Sequence, residues 1–258
     1  MTTFVKPNKY KTIGILGGMG PEATLELYRA ILDKTHASND QDHVPVVIFS
    51  FPQIPDRTKA LLGDGPDPIP YLLYGLDILK RAEVDFVVIP CNTAHKFLSS
   101  LLVAANVPII DMIDETMNYI AINYPQSKNL GLLATTGTIK TGLYNDYCDG
   151  RFNLVIPDDD AQEIVMRSIY RKKGLKAGYK SNENRKLLVS VIQHLKGKGA
   201  DTIIMGCTEI PLVLRGKDSG LPLINPTEIV ATKAVELARN NHADMQDFVS
   251  INPIVSSE

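Results

Sequence analysis

Three pairs of segments recur along this chain at nearly one spacing, and that duplication limits the fold more than any other feature. TIGILGGMGPEATLELY near the start resembles NLGLLATTGTIKTGLY in the middle. VDFVVIPCNTAHKFL resembles ADTIIMGCTEIPLVL, and VPIIDMIDETMNYI resembles LPLINPTEIVATKA. Gly14 and Gly131 stand 117 residues apart, Cys91 and Cys207 116, Pro108 and Pro222 114. Three independent segments sharing one offset are hard to reach by chance, so the chain reads as two copies of one design.

Within each copy, short Val/Ile/Leu runs alternate with longer amphipathic stretches, the pattern of buried parallel strands covered by helices. The runs predict strands over 12–16, 44–51, 86–90, 108–111, 129–134, 152–156, 202–205 and 222–224. Helices are expected over 21–35, 69–82, 93–104, 114–124, 142–148, 161–171, 183–198 and 227–240. The expected fold class is α/β: two similar doubly wound, Rossmann-like parallel-sheet domains related by a pseudo-twofold axis, with a cleft between them. Past about residue 223 no repeat partner follows, so the last helix is expected to cross back. Residues 1–112 plus 224–258 then form the first domain and 113–223 the second.

A chain of 258 residues has the length for two domains of about 125 residues each. Twenty-seven basic against 29 acidic residues give a net charge of −2, which supplies no electrostatic footprint for nucleic acid. The apolar runs are strand-sized, far below the ~18 residues of a membrane span. The N-terminus, MTTFVKPNKYK, carries lysines but no apolar signal region. Three cysteines, odd in number and widely spaced, exclude a disulfide framework, and no C-x-x-C or H-E-x-x-H spacing offers a metal site. A cytoplasmic protein without metal is expected, and its ending, 240–258, rich in Asn, Asp and Ser, is read as partly disordered.

Cys91 and Cys207 each follow a predicted buried strand and precede a predicted helix. Ligands of open parallel sheets bind outside the carboxyl ends of the strands, so both thiols belong at the mouth of a cleft. A helix N-terminus there is expected to favour the thiolate. A buried, inert thiol is the alternative for each, and Cys148, placed mid-helix with Tyr144 and Tyr147, is read as structural. Two opposed acid/base groups suit inversion at carbon, one removing a proton from one face and the other returning it to the opposite face. His95, four residues after Cys91, keeps a Cys/His hydrolase open, although Pro211 takes that place in the second half.

Gly14–Ala23 follows a strand and contains G-x-G-x-x-A, a loose match to a dinucleotide fingerprint. Val46–Phe51 runs into Pro52 and Gln53 where that motif wants an acidic residue. A backbone nest for a substrate carboxylate, or simply a tight turn, are the other readings. ATTGT, from Ala134 to Thr138, is its counterpart with hydroxyls for glycines. Arg57 in IPDRT and Lys176 in the second half sit at comparable points and can meet carboxylates or be plain surface charge. Asn92, Thr93 and Thr208 flank the cysteines as helix caps or substrate contacts. Glu209 can orient or deprotonate Cys207, or simply favour a helix start.

Together GGMGPEAT, PCNTAH, ATTGT and MGCTE resemble the aspartate/glutamate racemase superfamily, and most of all its cofactor-independent aspartate racemase group. The correspondence runs from about Thr12 to Lys233. It implies a two-domain α/β homodimer with the cleft between lobes, acting on a small amino acid without pyridoxal phosphate, metal or nucleotide. By resemblance, Cys91 and Cys207 are the proton donor/acceptor pair, and Asn92, Thr93 and Ala94 hold the α-carboxylate. Arg57 resembles the arginine for the side-chain carboxylate and Lys176 the lysine opposite it. Met19, Thr136 and Thr208 complete the expected substrate contacts. GCTE in place of the GCTH of glutamate racemases favours aspartate.

Expected, then, is a racemase interconverting L- and D-aspartate, or else glutamate, through two cysteines. A related decarboxylase or cis–trans isomerase acting on a dicarboxylic acid stays open, because the fold does not fix the reaction. So do a nucleotide-binding oxidoreductase and a bilobal protein that binds its ligand without chemistry.

Overall fold

A computed structural model describes residues 9–240. The first eight residues and the 241–258 tail, including the stretch expected to be partly disordered, lie outside the described residues. The first half contains β1 (Ile13–Gly17), α1 (Pro21–Thr35), β2 (Val46–Ser50), α2 (Arg57–Leu62), α3 (Ile69–Arg81), β3 (Phe86–Val88), α4 (Leu98–Ala105) and α5 (Met112–Asn123). The second contains β4 (Asn129–Leu133), α6 (Thr136–Lys140), β5 (Asn153–Val155), α7 (Asp159–Tyr170), α8 (Asn182–Gly197), β6 (Thr202–Met205), β7 (Leu223–Ile224) and α9 (Pro226–Arg239). All strand pairings are parallel, in the orders β2-β1-β3 and β5-β4-β6-β7.

The duplication seen in the sequence is a duplication of register. Gly14 faces Val87 in the first sheet, and Gly131 faces Ile203 in the second. Val87 is bridged to Ile109, as Ile203 is to Leu223. The Val87 amide donates to Pro108 (2.8 Å) and the Ile203 amide to Pro222 (2.9 Å). The two glycines recur because neither site has room for a side chain. A Cβ on Gly14 would lie 2.9 Å from a Val84 methyl, and one on Gly131 would lie 2.6 Å from the Ile203 side chain.

Each sheet is covered on both faces. Ile13, Ile15, Phe86 and Val88 pack towards α1 and α9, while Leu16, Val87 and Ile89 pack towards α3 and α4. In the second sheet Leu133, Ile203 and Met205 face α7 and α8, and Leu130, Leu132 and Ile204 face α5. The architecture is therefore the expected two-domain α/β fold with parallel sheets. After β7 the chain turns into α9, whose Val230, Ala234 and Ala238 share a core with Ile13, Leu27 and Ile31. Of these, the fully buried Val230, Ile13, Leu27 and Ile31 each contribute about 1.5–3 kcal/mol relative to exposure, and the alanines less.

Four local expectations are corrected. Residues 142–148 are not a helix: α6 ends before Gly142, which takes a left-handed φ of 62°, and only a 3₁₀ turn follows at Asn145–Tyr147. Cys148 thus closes a turn rather than sitting in mid-helix. Residues 108–111 make a single bridge at Ile109 instead of a strand. α2 was not expected: Asp56 caps it through the Lys59 amide and Gly63 ends it in the left-handed conformation.

Candidate active site

Both cysteines stand just past the carboxyl ends of equivalent strands, β3 and β6, and each is 6% exposed. They line one closed cleft together with Met19, Arg57, Thr58, Asn92, Thr93, Thr135, Tyr170, Lys176, Thr208 and Glu209. The void at its centre is about 10 Å³, roughly the room of one water. A larger groove of about 470 Å³ runs between α5, α9 and the chain after Cys207, but neither cysteine lines it.

The local structure after the two thiols differs. Cys91 leads into a 3₁₀ turn, Asn92–Phe97, which tightens the entry to α4. Directly after Cys207 the chain makes 3₁₀ turns at Ile210–Leu212 and Gly216–Asp218 rather than the expected helix, and the next α-helix is α9. Pro211, Gly216 and Gly220 break that stretch before a helical pattern can build. The expected lowering of the thiol pKa by a helix terminus consequently fails at Cys207. Burial and the neighbouring Glu209 charge push its thiol well above the ordinary range, against the pull of Lys176.

Around Cys207 the contacts are charged. Its thiol donates to Glu209 Oε2 (3.0 Å), while Glu209 Oε1 accepts from Lys176 Nζ (3.0 Å) and from the Gly20 amide across the cleft (3.0 Å). Burial works against the Glu209 charge, but the Lys176 charge and the hydrogen bonds from Cys207 and Lys176 together outweigh it and hold the carboxyl below its usual range. Thr208 donates across the cleft to the Pro90 carbonyl (3.1 Å).

Around Cys91 the hydrogen bonds of the loop are between neutral groups, and the charged neighbour is Arg57. Thr93 shares hydrogen bonds with Thr135 (3.1 Å) and Thr138 (2.9 Å) of the opposite half, and Thr58 donates to Thr135 (3.1 Å). Tyr144 donates to Asn92 Oδ1 (2.6 Å), leaving Asn92 Nδ2 buried without a partner. The Met112 amide donates to His95 Nε2, so its Nδ1 carries the hydrogen and donates to the Cys91 carbonyl (2.9 Å). Both imidazole nitrogens are thus spent on backbone, which removes the Cys/His hydrolase arrangement.

Arg57 opens α2, pinned by three backbone carbonyls: Ile54, Pro55 and Met19. Burial opposes its charge, but Cys91 and Asp56 outweigh that and hold the guanidinium above its usual value. Its Nε is buried and unpartnered. Lys176 reaches the same Met19 carbonyl (3.2 Å), so one oxygen joins the two cations from the two halves.

Eight of the ten residues given a catalytic or substrate-binding role by the resemblance therefore line the cleft, and two do not. Ala94 is buried in the core beneath Cys91, and its amide is spent on the Cys91 carbonyl (3.2 Å). Thr136 turns away towards α7: its hydroxyl accepts from Gln162 and its amide donates to Met166 Sδ. Its neighbour Thr135 lines the cleft instead. Thr58, Thr135 and Tyr170 were missed. The 117 offset pairs Thr135 with Gly18 and so marked it, whereas Tyr170 carries no sequence signal beyond its place near Lys176. The glycine turn offers little to a nucleotide phosphate, because the Gly20 amide already meets Glu209 and the Gly18 amide meets Thr24.

Residues 16–234 match the family described as Asp/Glu/Hydantoin racemase. The chain is 29% identical over 227 residues to the broad specificity amino-acid racemase RacX of Bacillus subtilis, covering 86% of this chain and 96% of that one. Among solved structures, Picrophilus torridus aspartate racemase superposes with a TM-score of 0.75 at 30% identity, over 89% of this chain and all of that one. Glutamate racemase from Francisella tularensis, in complex with D-glutamate, shares the fold with a TM-score of 0.63 at 17% identity, over 89% and 81% of the two chains.

Proposed function

Because the chain belongs to the Asp/Glu/hydantoin racemase family, we propose that it interconverts L- and D-aspartate by proton transfer between two cysteines, without a cofactor. Cys91 and Cys207 work from opposite faces of the α-carbon: one takes the proton, the other returns one, and the roles exchange with direction. The observation that carries this reading is the pair of equally buried thiols, from equivalent strand ends of the two halves, around one closed cleft. Two buried donors without partners, Arg57 Nε and Asn92 Nδ2, support carboxylate binding on the Cys91 side, because an unmet buried donor is costly until a ligand satisfies it. Thr93 and Thr208 supply hydroxyls to the same ligand, and the Met19 carbonyl holds Arg57 and Lys176 at its two ends.

Room for about one water means that the halves part to admit the substrate and close over it, expelling solvent from the reacting carbon. The likeness to the Picrophilus enzyme favours aspartate, and the broad specificity of the Bacillus relative makes glutamate and neutral amino acids part of the test. The reading extends to a cytoplasmic homodimer; sedimentation of the purified chain checks the dimer. The decisive experiment incubates the enzyme with each enantiomer in D₂O, without added cofactor, followed by chiral analysis. Deuterium at the α-carbon together with the opposite enantiomer is expected. Binding without exchange for every amino acid tried would leave a ligand-binding protein in its place.

A further inference from the structure

Cys91 and Cys207 are buried alike, yet the residue two places further on differs: Thr93 in one motif, Glu209 in the other. We infer that Glu209 is a positioning residue that keeps the transferable proton on Cys207, leaving Cys91 as the base of the closed, substrate-free enzyme. The inference rests on the racemase reading above and adds to it an order between the two thiols.

The geometry carries it. Glu209 Oε1 accepts two donors, Lys176 Nζ and the Gly20 amide, as an ionised carboxylate does. Its other oxygen, Oε2, lies 3.0 Å from Cys207 Sγ, and a thiol there donates whereas a thiolate would set two anions against each other. The remaining titratable groups near Cys207 are Lys176, Tyr170 and Tyr144 of its own half and Arg57 of the other. Lys176 is tied to Glu209, and both tyrosines are kept protonated by burial, so none of them replaces the carboxylate as acceptor. Cys91 has the Arg57 guanidinium for its charged neighbour, where Cys207 has the Glu209 carboxylate.

The proton count closes. Cys91 thiolate takes the α-proton and becomes a thiol, the carbanion's electron pair takes the proton of Cys207, and Cys207 is left as thiolate beside Glu209. That end state is the less stable of the two, so the free enzyme returns to the first by exchange with water. Because Gly20 comes from the opposite half, the clamp on Glu209 is complete only when the cleft is closed.

The test needs no turnover. Site-resolved carbamidomethylation with iodoacetamide follows each cysteine in the intact protein from neutral to alkaline pH. Cys91 is expected to react at least about tenfold faster than Cys207 near neutrality, because the thiolate is the reactive form. Glu209→Gln, of the same shape, should move Cys207 labelling to lower pH and narrow that gap. Ultraviolet thiolate absorbance of Cys91→Ala and Cys207→Ala gives the same order independently. Equal labelling, faster labelling of Cys207, or a Cys207 profile unmoved in Glu209→Gln would overturn the inference, the last by showing that burial alone guards the thiol. Failure of α-proton exchange would instead sink the racemase reading while these titrations stood.

Discussion

The first cysteine loop is built from neutral groups and backbone staples, the second from a buried ion pair. At Cys91, Thr93 joins a ring of threonine hydroxyls, Asn92 is gripped by Tyr144, and His95 ties the loop to the start of α5. At Cys207, Glu209 faces Lys176 and reaches across the cleft to Gly20. The strands, register and thiols repeat, while the residue two positions on has diverged. Duplication therefore copied a scaffold, and the chemistry of each wall was decided by side chains that change without disturbing it.

The comparison can be broken or sharpened by substitution. Cys91→Ala and Cys207→Ala are each expected to lower racemisation by about 10³-fold, the worth of a positioned acid or base. L and D enantiomers are equally stable in water, so kcat/KM must fall equally in both directions. The two variants should nevertheless exchange the α-proton of opposite enantiomers in D₂O. Exchange of the same enantiomer by both would mean that the thiols do not face each other across the carbon. Next in size, Lys176→Ala leaves Glu209 buried, at 2% exposure, without its cation. A loss of about 3 kcal/mol in denaturant unfolding is expected from breaking such a pair, and a loss well under half of that would mean that the carboxylate is not held as an ion. Tyr144→Phe removes one hydrogen bond, to Asn92, and should cost about 1 kcal/mol. It should also raise KM more than it lowers kcat, since the Asn92 amide is freed to turn; an unchanged KM would detach Asn92 from carboxylate binding. Smallest is Lys96→Ala, which breaks the exposed pair with Asp146. Stability there should move by about 0.5 kcal/mol or less, and a larger change would show that the neutral wall also leans on charge.

Much of this was legible from the sequence because it was written twice. The repeated glycines, cysteines and prolines gave the register, and strand-end cysteines gave the cleft. What escaped depended on chain too short for periodicity or on side-chain direction. α2 has only six residues, although Asp56 and Gly63 announce its two ends. Thr135 and Thr136 are equivalent in composition, and only the turn into α6 decides which faces Thr93 and which faces Gln162. The helix expected after Cys207 failed because strand-to-helix alternation was extended over a proline and two glycines. The raised Cys207 thiol followed from its burial and from the Glu209 charge, and Lys176, 33 residues back in the chain, is what keeps that carboxylate ionised, a pairing no local pattern records.

α9 carries one last consequence. Its Val230, Ala231, Ala234 and Ala238 complete the core beneath β1, while the preceding Ile229 packs with Ile224 and Ile113 against the second sheet. α5 straddles the same two cores through Met112 and Ile113, and Lys233 pairs with Glu115 between the two helices (3.2 Å). Neither half can melt without stripping apolar surface from the other. A chain built as a tandem copy should accordingly lose its structure in one calorimetric step, with matching calorimetric and van't Hoff enthalpies. Its ancestral symmetry would leave no trace in the heat-capacity curve.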